Sequence, residues 1–371
     1  MAVRGSGRSI ATAVGVAAGT GAAQLGLGYG LGIIAWLPPG DGPEVVTWLA
    51  SLTWTVWIAA TSTVAGAVCS QRLTAAPAAE ARAGIPRRVT LAAAAAAGAL
   101  ITVALVAVPA RATAPPESGP QLIAAGYAAA GISCGLVVAF WALSSRAVAI
   151  NVLVTTTWLW LLALFAVIDR VATKGIAGSV DLGVWPLNVD RDHLWFRDHF
   201  YWPTAIMSLG SALVIGVLAA RRPARRPEAR VGAAASGAVG PLLVAAAYLL
   251  VAPQAADLPT SQLSAHLMAP YAALAGLAGS VLVAVLAQRA EGREQLKTTA
   301  DTADPPGEVV SEPDAASDPP LVPAQQTGPA EPSPESANAA ASTTSEPRGP
   351  EESGNQKAPK RKPRRLGRES P

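Results

Sequence analysis

The feature that most constrains this chain is a series of hydrophobic runs, each about 20 residues long, separated by short polar segments. An α-helix rises about 1.5 Å per residue, so a run of this length crosses a hydrocarbon layer about 30 Å thick. Within lipid the backbone has no water to bind, and a helix satisfies its own hydrogen bonds inside one segment. The runs lack the alternation of barrel strands. The sequence therefore predicts an all-α, polytopic helical transmembrane bundle.

Eight such runs define a transmembrane domain over residues 1–288. We place the spans at about 10–36, 45–69, 89–108, 122–143, 147–168, 203–220, 233–251 and 265–287. The first run follows the basic residues Arg4 and Arg8, as the core of a signal peptide would. A cleavable core is usually about 7–15 residues long, and this run is nearly twice that length. We therefore expect it to remain as the first span.

The charges of the short loops predict the orientation of the bundle. With the N-terminus inside, the inner loops hold 12 basic residues against two acidic ones, and the outer loops hold five basic residues against nine acidic ones. Trp36, Trp48 and Trp202 fall at the predicted outer boundary, where an indole ring lies in lipid with its N–H in water. The Ala, Gly, Pro, Arg and Val bias is typical of a high-GC bacterial genome. We expect a multi-pass protein of a bacterial plasma membrane with both termini in the cytoplasm.

The longest polar interruption between spans is a predicted extracytoplasmic loop at 169–202, which contains two Arg-Asp-His triplets six residues apart. The candidate catalytic residues are Asp190, Asp192, His193, Asp198 and His199, and the last four are also the candidate metal ligands. Imidazole and carboxylate groups bind zinc or manganese. Asp190-Arg191-Asp192 also resembles the Asp-x-Asp motif with which many glycosyltransferases hold a metal and a sugar phosphate.

Other interpretations of these triplets are open. On one straight helix a spacing of six residues would not bring the two histidines together. The segment could instead lie at the membrane surface, with its aromatic rings in the interface and its charged groups paired with each other and with lipid headgroups. It could also be a surface for partner docking.

Small residues within the spans predict close helix packing. The first span contains Gly15-x-x-x-Gly19, Gly26-x-x-x-Gly30 and Gly28-x-x-x-Gly32, and the fourth contains Gly131-x-x-x-Gly135. Such pairs let two helices approach closely, either inside one chain, between copies of it, or with another membrane protein. The sequence does not distinguish between these partners.

Several polar residues also lie within the spans: Gln24, Thr53, Thr55, Thr61, Ser62, Thr63, Asn151, Thr155, Thr156 and Thr157. Because a hydroxyl can bond back to its own helix, we interpret them as structural. The two cysteines, Cys69 and Cys134, lie in different apolar runs, which argues against a disulfide framework.

After Gln288 the composition changes abruptly, and residues 289–371 are rich in Pro, Ala, Glu and Ser. A segment with so few large apolar groups cannot bury enough surface to offset its ordering entropy, so we expect a disordered cytoplasmic tail. Its basic end contains Lys360, Arg361, Lys362, Arg364 and Arg365. We expect these residues to contact anionic lipid headgroups. Without aromatic groups or a fold, they predict no specific binding of nucleic acid.

These patterns predict function only coarsely. No charged residue lies in the middle of a span, whereas a pathway for ions or protons usually carries one. We therefore expect a non-enzymatic envelope scaffold or accessory subunit of a membrane complex, with no cofactor. The expected partners are the lipid bilayer and either other membrane proteins or further copies of the chain. The alternatives are a transporter or permease for a neutral or lipidic substrate, and an outer-face enzyme acting on a lipid-linked substrate.

Overall fold

The structure is a computed structural model, and it confirms an all-α helical bundle. It describes residues 2–37, 43–74, 84–112, 119–172, 180–184, 194–195, 200–254 and 260–303. The α-helices of this part are α1 (Ala2–Gly30), α2 (Pro43–Leu73), α3 (Gly84–Ala99), α4 (Ile101–Arg111), α5 (Pro120–Ser144), α6 (Arg146–Ala172), α7 (Trp202–Arg221), α8 (Arg230–Ala235), α9 (Val239–Val251) and α10 (Thr260–Ala303). Two short strands, β1 (Leu194–Trp195) and β2 (Phe200–Tyr201), pair antiparallel.

Seven helical segments of the described chain are long and apolar enough to cross a membrane. They are Gly7–Gly30, Glu44–Leu73, Gly84–Arg111, Pro120–Ser144, Arg146–Ala172, Pro227–Val251 and Ser264–Thr299. The remaining predicted span, 203–220, corresponds to α7, whose apolar part at Ala205–Arg221 is shorter. All 20 residues of α7 together rise about 30 Å. The chain is therefore a multi-pass membrane protein with a helix at each predicted span.

The first helix ends at Gly30 rather than at the predicted residue 36. Gly32 adopts a positive φ of 64°, which an L side chain rarely tolerates. The Ile33 N–H then donates to the Gly28 carbonyl at 2.9 Å, and the Gly32 N–H donates to the Tyr29 carbonyl at 3.1 Å. These two bonds form a Schellman motif, which closes the helix. Gly28 and Gly32 therefore do not form a helix-packing pair.

The last helix, α10, is longer than predicted at its C-terminal end, because it continues to Ala303 instead of ending at residue 287. Most of residues 289–297 are strong helix formers such as Ala, Arg, Glu, Gln, Leu and Lys. Glu291 also forms a salt bridge of 2.5 Å with Arg230, which joins this extension to the start of α8. The expectation of a disordered tail is wrong for 289–303, and residues 304–371 lie outside the described part of the chain.

The second helix, α2, is the centre of the bundle. Along its apolar stretch 94% of the residues are buried, and Trp54 and Trp57 are among the largest fully buried side chains. Helices α1, α3, α5 and α9 pack around it. A helix that is apolar on all sides is stable in such a position because every face meets another helix. On the far side of α6, helix α7 packs against α10.

The sequence predicted close backbone contacts at glycine pairs of both α1 and α5, and the structure has them at the predicted glycines only in α5. A Cβ at Gly131 or Gly135 would contact the carbonyl oxygen of Val56 or Ala60 on α2, which confirms the predicted packing. Ala13 and Ala17 of α1 instead pack closely on α2, against Gly66. The four glycines of the other α1 pairs face away from these contacts, and no described residue lies within 4 Å of their Cβ positions: Gly15, Gly19, Gly26 and Gly30.

Most polar residues in the spans are structural, as predicted. Thr53, Thr55 and Thr61 of α2 donate to carbonyl oxygens four residues earlier at 2.8–2.9 Å. Thr156 and Thr157 of α6 do the same within their own helix. These hydroxyls therefore need no partner from another helix or a ligand. The thiols of both cysteines are free.

Two of the three indoles at the predicted outer boundary, Trp36 and Trp48, are packed in protein rather than at the lipid surface. Trp36 and Trp48 are 8% and 6% exposed, and their ring centroids lie 4.9 Å apart in an edge-on contact. The Trp36 N–H donates to the Tyr29 hydroxyl at 2.9 Å instead of meeting water. The interfacial prediction is wrong for these two residues because the chain after α1 folds back onto α2. The side chain of Trp202 lies outside the described part.

Candidate functional site

The five candidate residues of the 169–202 loop, Asp190, Asp192, His193, Asp198 and His199, lie outside the described residues. Next to them, Leu194 pairs with Tyr201 and Trp195 with Phe200 in a short hairpin. The backbone of these four described residues is thus extended. In the described part of the chain no three His, Cys, Asp or Glu side chains are grouped as metal ligands. The metal and catalytic roles stay predictions.

The basic residues of the C-terminal end, Lys360, Arg361, Lys362, Arg364 and Arg365, also lie outside the described residues. Their contact with anionic lipid stays a prediction as well.

A described part of the same loop, residues 180–184, closes one end of the helix bundle, and we call it the closing segment. Val180 and Leu182 in it are 4% and 1% exposed. The Trp54 indole N–H donates to the Val180 carbonyl at 2.8 Å, and the Tyr248 hydroxyl donates to the Leu182 carbonyl at 2.6 Å. Two buried aromatic donors, one on α2 and one on α9, therefore bond to two carbonyls of an irregular backbone segment.

Below the closing segment lies a cavity of ≈ 50 Å³, which we call the Thr155 cavity. Its walls come from the closing segment and from α6, α7, α9 and α10. Most of the lining is apolar, and the polar side chains are Thr155, Ser208, Ser211 and Tyr248. A cavity needs about 10–15 Å³ of such space to hold one water, so this one is large enough for water. Ligand pockets for drug-sized molecules are larger, at about 300–1,000 Å³.

Thr155 is the exception among the threonines of α6. Thr155 is 5% exposed, and its buried hydroxyl oxygen has no hydrogen-bond partner among the described residues. The hydroxyl faces Gly240, where an added Cβ would contact it. An unsatisfied buried hydroxyl costs about 1–3 kcal/mol. The sequence placed Thr155 with the structural hydroxyls, and only its neighbours in the fold separate it from them.

The sequence did not predict the break in the helix that forms one wall of this cavity. A 3₁₀ turn at Ser236–Ala238 separates α8 from α9 inside a membrane-spanning segment. Pro241 has no N–H, so the Gly237 carbonyl four residues earlier loses its usual helical donor. The Asn151 side-chain amide donates to this carbonyl at 3.4 Å, and its oxygen accepts the Gly240 N–H at 2.8 Å.

Ser280 of α10 supports the break from the opposite side. Its hydroxyl accepts the Gly237 N–H at 3.2 Å and donates to the Ala234 carbonyl at 2.5 Å. Gly237 also packs directly on Gly276, because an added Cβ would contact the Gly276 carbonyl oxygen. Irregular backbone at membrane depth is tolerated only where protein groups satisfy it. Asn151 and Ser280 provide these groups, and the signal in the sequence was the Gly240-Pro241 pair inside an apolar run.

No protein-family model, curated protein or solved structure matches this chain. The proposals that follow are therefore drawn from its own residues and geometry.

Proposed function

We propose that the protein is a non-enzymatic scaffold or accessory subunit of a membrane complex, and that a partner helix packs on α1. The observation that carries this proposal is the uncovered small-residue face of α1. Only 22% of the apolar stretch of this helix is buried, the lowest share among the seven described spans. Gly15, Gly19, Ala22, Gly26 and Gly30 are all exposed on it.

These five residues form one continuous strip. At 100° per residue, positions 15, 19, 22, 26 and 30 fall within an arc of about 80° on the helix surface. The strip is about 22 Å long, which is most of the thickness of a hydrocarbon core. Small residues let helix backbones approach closely and gain van der Waals contact, which is a main driving force for association in lipid. On its other face α1 already packs in this way, through Ala13 and Ala17.

We further propose that the scaffold lies in a bacterial plasma membrane with both termini in the cytoplasm. The arginines at helix ends support this orientation. Arg72 at the end of α2 and Arg146 at the start of α6 line the same cavity. Ala147, next to Arg146, packs in one cluster with Ala220, next to Arg221 at the end of α7, so the three arginines belong to the same end of the bundle. Basic residues accumulate on the cytoplasmic side of bacterial membrane proteins.

The test is a pair of substitutions in the strip, Gly19→Leu and Gly26→Leu, made together in the full chain. A branched side chain at both positions would hold a partner helix away from the α1 backbone. We expect the complex isolated in mild detergent to lose its partner proteins, or to fall in mass if the partner is another copy of the chain. The variant protein itself remains at normal levels, because these positions have open space around them.

A matched control is Gly210→Leu on α7, which also adds a leucine at a position with no described neighbour within 4 Å. It should leave the complex unchanged. The proposal is wrong if the strip variant retains the same co-purifying proteins and the same mass as the unmodified chain.

A second candidate function is transport of a neutral or lipidic substrate, and the Thr155 cavity beside the helix break favours it. In many transporters the substrate site lies near the middle of the membrane beside interrupted helices. The present cavity of ≈ 50 Å³ is too small for such a substrate, so transport requires the break at Ser236–Ala238 to open.

Reconstituted vesicles test this candidate directly. Thr155→Leu removes the unpartnered hydroxyl and adds bulk to the cavity wall, and it should lower flux of a neutral or lipidic substrate. Thr157→Leu on the exposed side of the same helix should not. Vesicles that show no flux over a broad substrate panel would rule the transporter out.

A further inference from the structure

A second cavity lies where the C-terminal end of α2 meets the junction of α5 and α6, at the end of the bundle that carries most arginines. Its volume is ≈ 420 Å³. It is lined by Val68, Gln71, Arg72, Ala142, Leu143, Arg146 and Ala149, and we call it the arginine pocket. It is separate from the Thr155 cavity and from the uncovered strip of α1.

Two guanidinium groups line this pocket without an internal partner. Arg72 and Arg146 are exposed, and within the described chain neither makes a hydrogen bond or a salt bridge. A third arginine reaches the same junction, since Arg88 donates from Nη1 to the Ser144 hydroxyl at 3.0 Å. Guanidinium groups bind phosphate well because their parallel N–H donors match two of its oxygens. The pocket is thus positively charged and has unused donors.

The backbone contributes partial charges of both signs, because the pocket is lined by the C-terminal turns of α2 and α5 as well as by the start of α6. Arg146 begins α6, and the N–H groups of its first three residues have no acceptor inside the helix, whereas the Ala149 N–H already donates to the Ser145 carbonyl at 3.2 Å. The partial positive charge at a helix N-terminus favours an anion there. The Leu143 carbonyl near the end of α5 would repel an anion, but it already accepts a hydrogen bond from the Gln71 side-chain amide at 3.2 Å.

The remaining wall of the pocket is apolar. Val68, Ala142, Leu143 and Ala149 are between 1% and 5% exposed as residues. A free phosphate ion has no use for such a wall, whereas a lipid places its headgroup beside the arginines and its acyl chain on the apolar side. Basic pockets between spans at the cytoplasmic side are known sites for anionic lipid headgroups.

We infer that the arginine pocket binds the phosphate of an anionic phospholipid, with Arg72 and Arg146 as its ligands. The occupant is a lipid of the surrounding leaflet and is independent of any protein partner on α1. The lipid fixes the junction between α5 and α6 at the membrane surface.

The experiment measures lipids bound to the full chain by native mass spectrometry, after extraction in mild detergent. Phosphatidylglycerol and phosphatidylcholine with identical acyl chains are added in parallel. The unmodified chain should retain phosphatidylglycerol in preference to phosphatidylcholine. R72Q/R146Q should lower the affinity for phosphatidylglycerol at least about fivefold, since one surface cation alone contributes about that factor. Binding of phosphatidylcholine should not change.

Two further variants separate the pocket from general effects. R221Q/R222Q removes two exposed arginines at the same end of the bundle but outside the pocket, and it should leave phosphatidylglycerol binding unchanged. R72K/R146K keeps both charges but loses the paired donors, and it should give an intermediate affinity. Tryptophan fluorescence and the elution volume on a sizing column confirm that each variant is folded.

Three outcomes overturn the inference. The first is equal loss of phosphatidylglycerol in R221Q/R222Q, which would indicate surface charge alone. The second is equal retention of both lipids by the unmodified chain. The third is full displacement of the lipid by inorganic phosphate at an equal concentration, which would make the pocket a site for free phosphate.

Discussion

Replacing Asn151 by alanine tests whether side-chain hydrogen bonds hold the helix break between α8 and α9. Asn151 is fully buried, and its amide oxygen is the acceptor for the Gly240 N–H at 2.8 Å. Its amide nitrogen donates to the Gly237 carbonyl at 3.4 Å. In the alanine variant the Gly240 donor loses its acceptor inside the membrane, and the Gly237 carbonyl loses the donor that replaces the missing N–H of Pro241.

The size of the effect follows from these two bonds. A distance of 2.8 Å is that of an ordinary N–H···O bond, whereas 3.4 Å lies beyond the usual range, so the first bond dominates. Leaving one buried donor unsatisfied costs about 1–3 kcal/mol. Hydrogen bonds in helical membrane bundles average about 0.6 kcal/mol and reach about 1.7, because the unfolded chain finds other partners in the membrane. We therefore expect Asn151→Ala to lower the free energy of unfolding by about 1–2 kcal/mol.

Titration with sodium dodecyl sulfate in mixed micelles, followed by tryptophan fluorescence, measures this free energy directly. Thr157→Val is the matched control on the same helix. Its hydroxyl donates only to the Leu153 carbonyl four residues earlier, and the residue is exposed. The control should stay within about 0.5 kcal/mol of the unmodified chain, as surface substitutions usually do. If Asn151→Ala stays within the same limit, the break is not held by this side chain and the reasoning fails.

Two further substitutions test other contacts of the bundle. Gly237→Ala should strongly lower the same unfolding free energy, because its Cβ would contact the Gly276 carbonyl oxygen. Gly210→Ala has open space around it and should raise the free energy of unfolding by up to about 1 kcal/mol through helix propensity. Equal unfolding midpoints for the two variants would contradict this packing. Tyr248→Phe removes the hydroxyl that holds the closing segment and should speed protease cleavage of the adjacent loop. Tyr271 is 53% exposed, and the Tyr271→Phe variant should be cleaved by the protease at the same rate as the unmodified chain. Identical cleavage rates for the two variants would exclude the proposed role of the Tyr248 hydroxyl.

The sequence by itself determined the helical class of the protein and the approximate place of each apolar helix. Hydrophobicity and length are local properties, and a run of about 20 apolar residues has few other stable structures in lipid. The same local reasoning predicted that most threonines would bond back to their own helices. It also identified Gly131-x-x-x-Gly135 as a packing pair, although it could not identify α2 as the helix that this pair contacts.

Only the tertiary structure decided which face of each helix is covered. Gly15 and Gly131 belong to the same kind of motif, yet one faces open space and the other contacts a backbone carbonyl. Thr155 and Thr156 are neighbours in sequence, yet the Thr156 hydroxyl bonds back to its own helix, whereas the Thr155 hydroxyl faces Gly240 and has no partner among the described residues. These differences depend on the rotation of each helix against its neighbours, and that rotation is set by contacts between residues far apart in the chain.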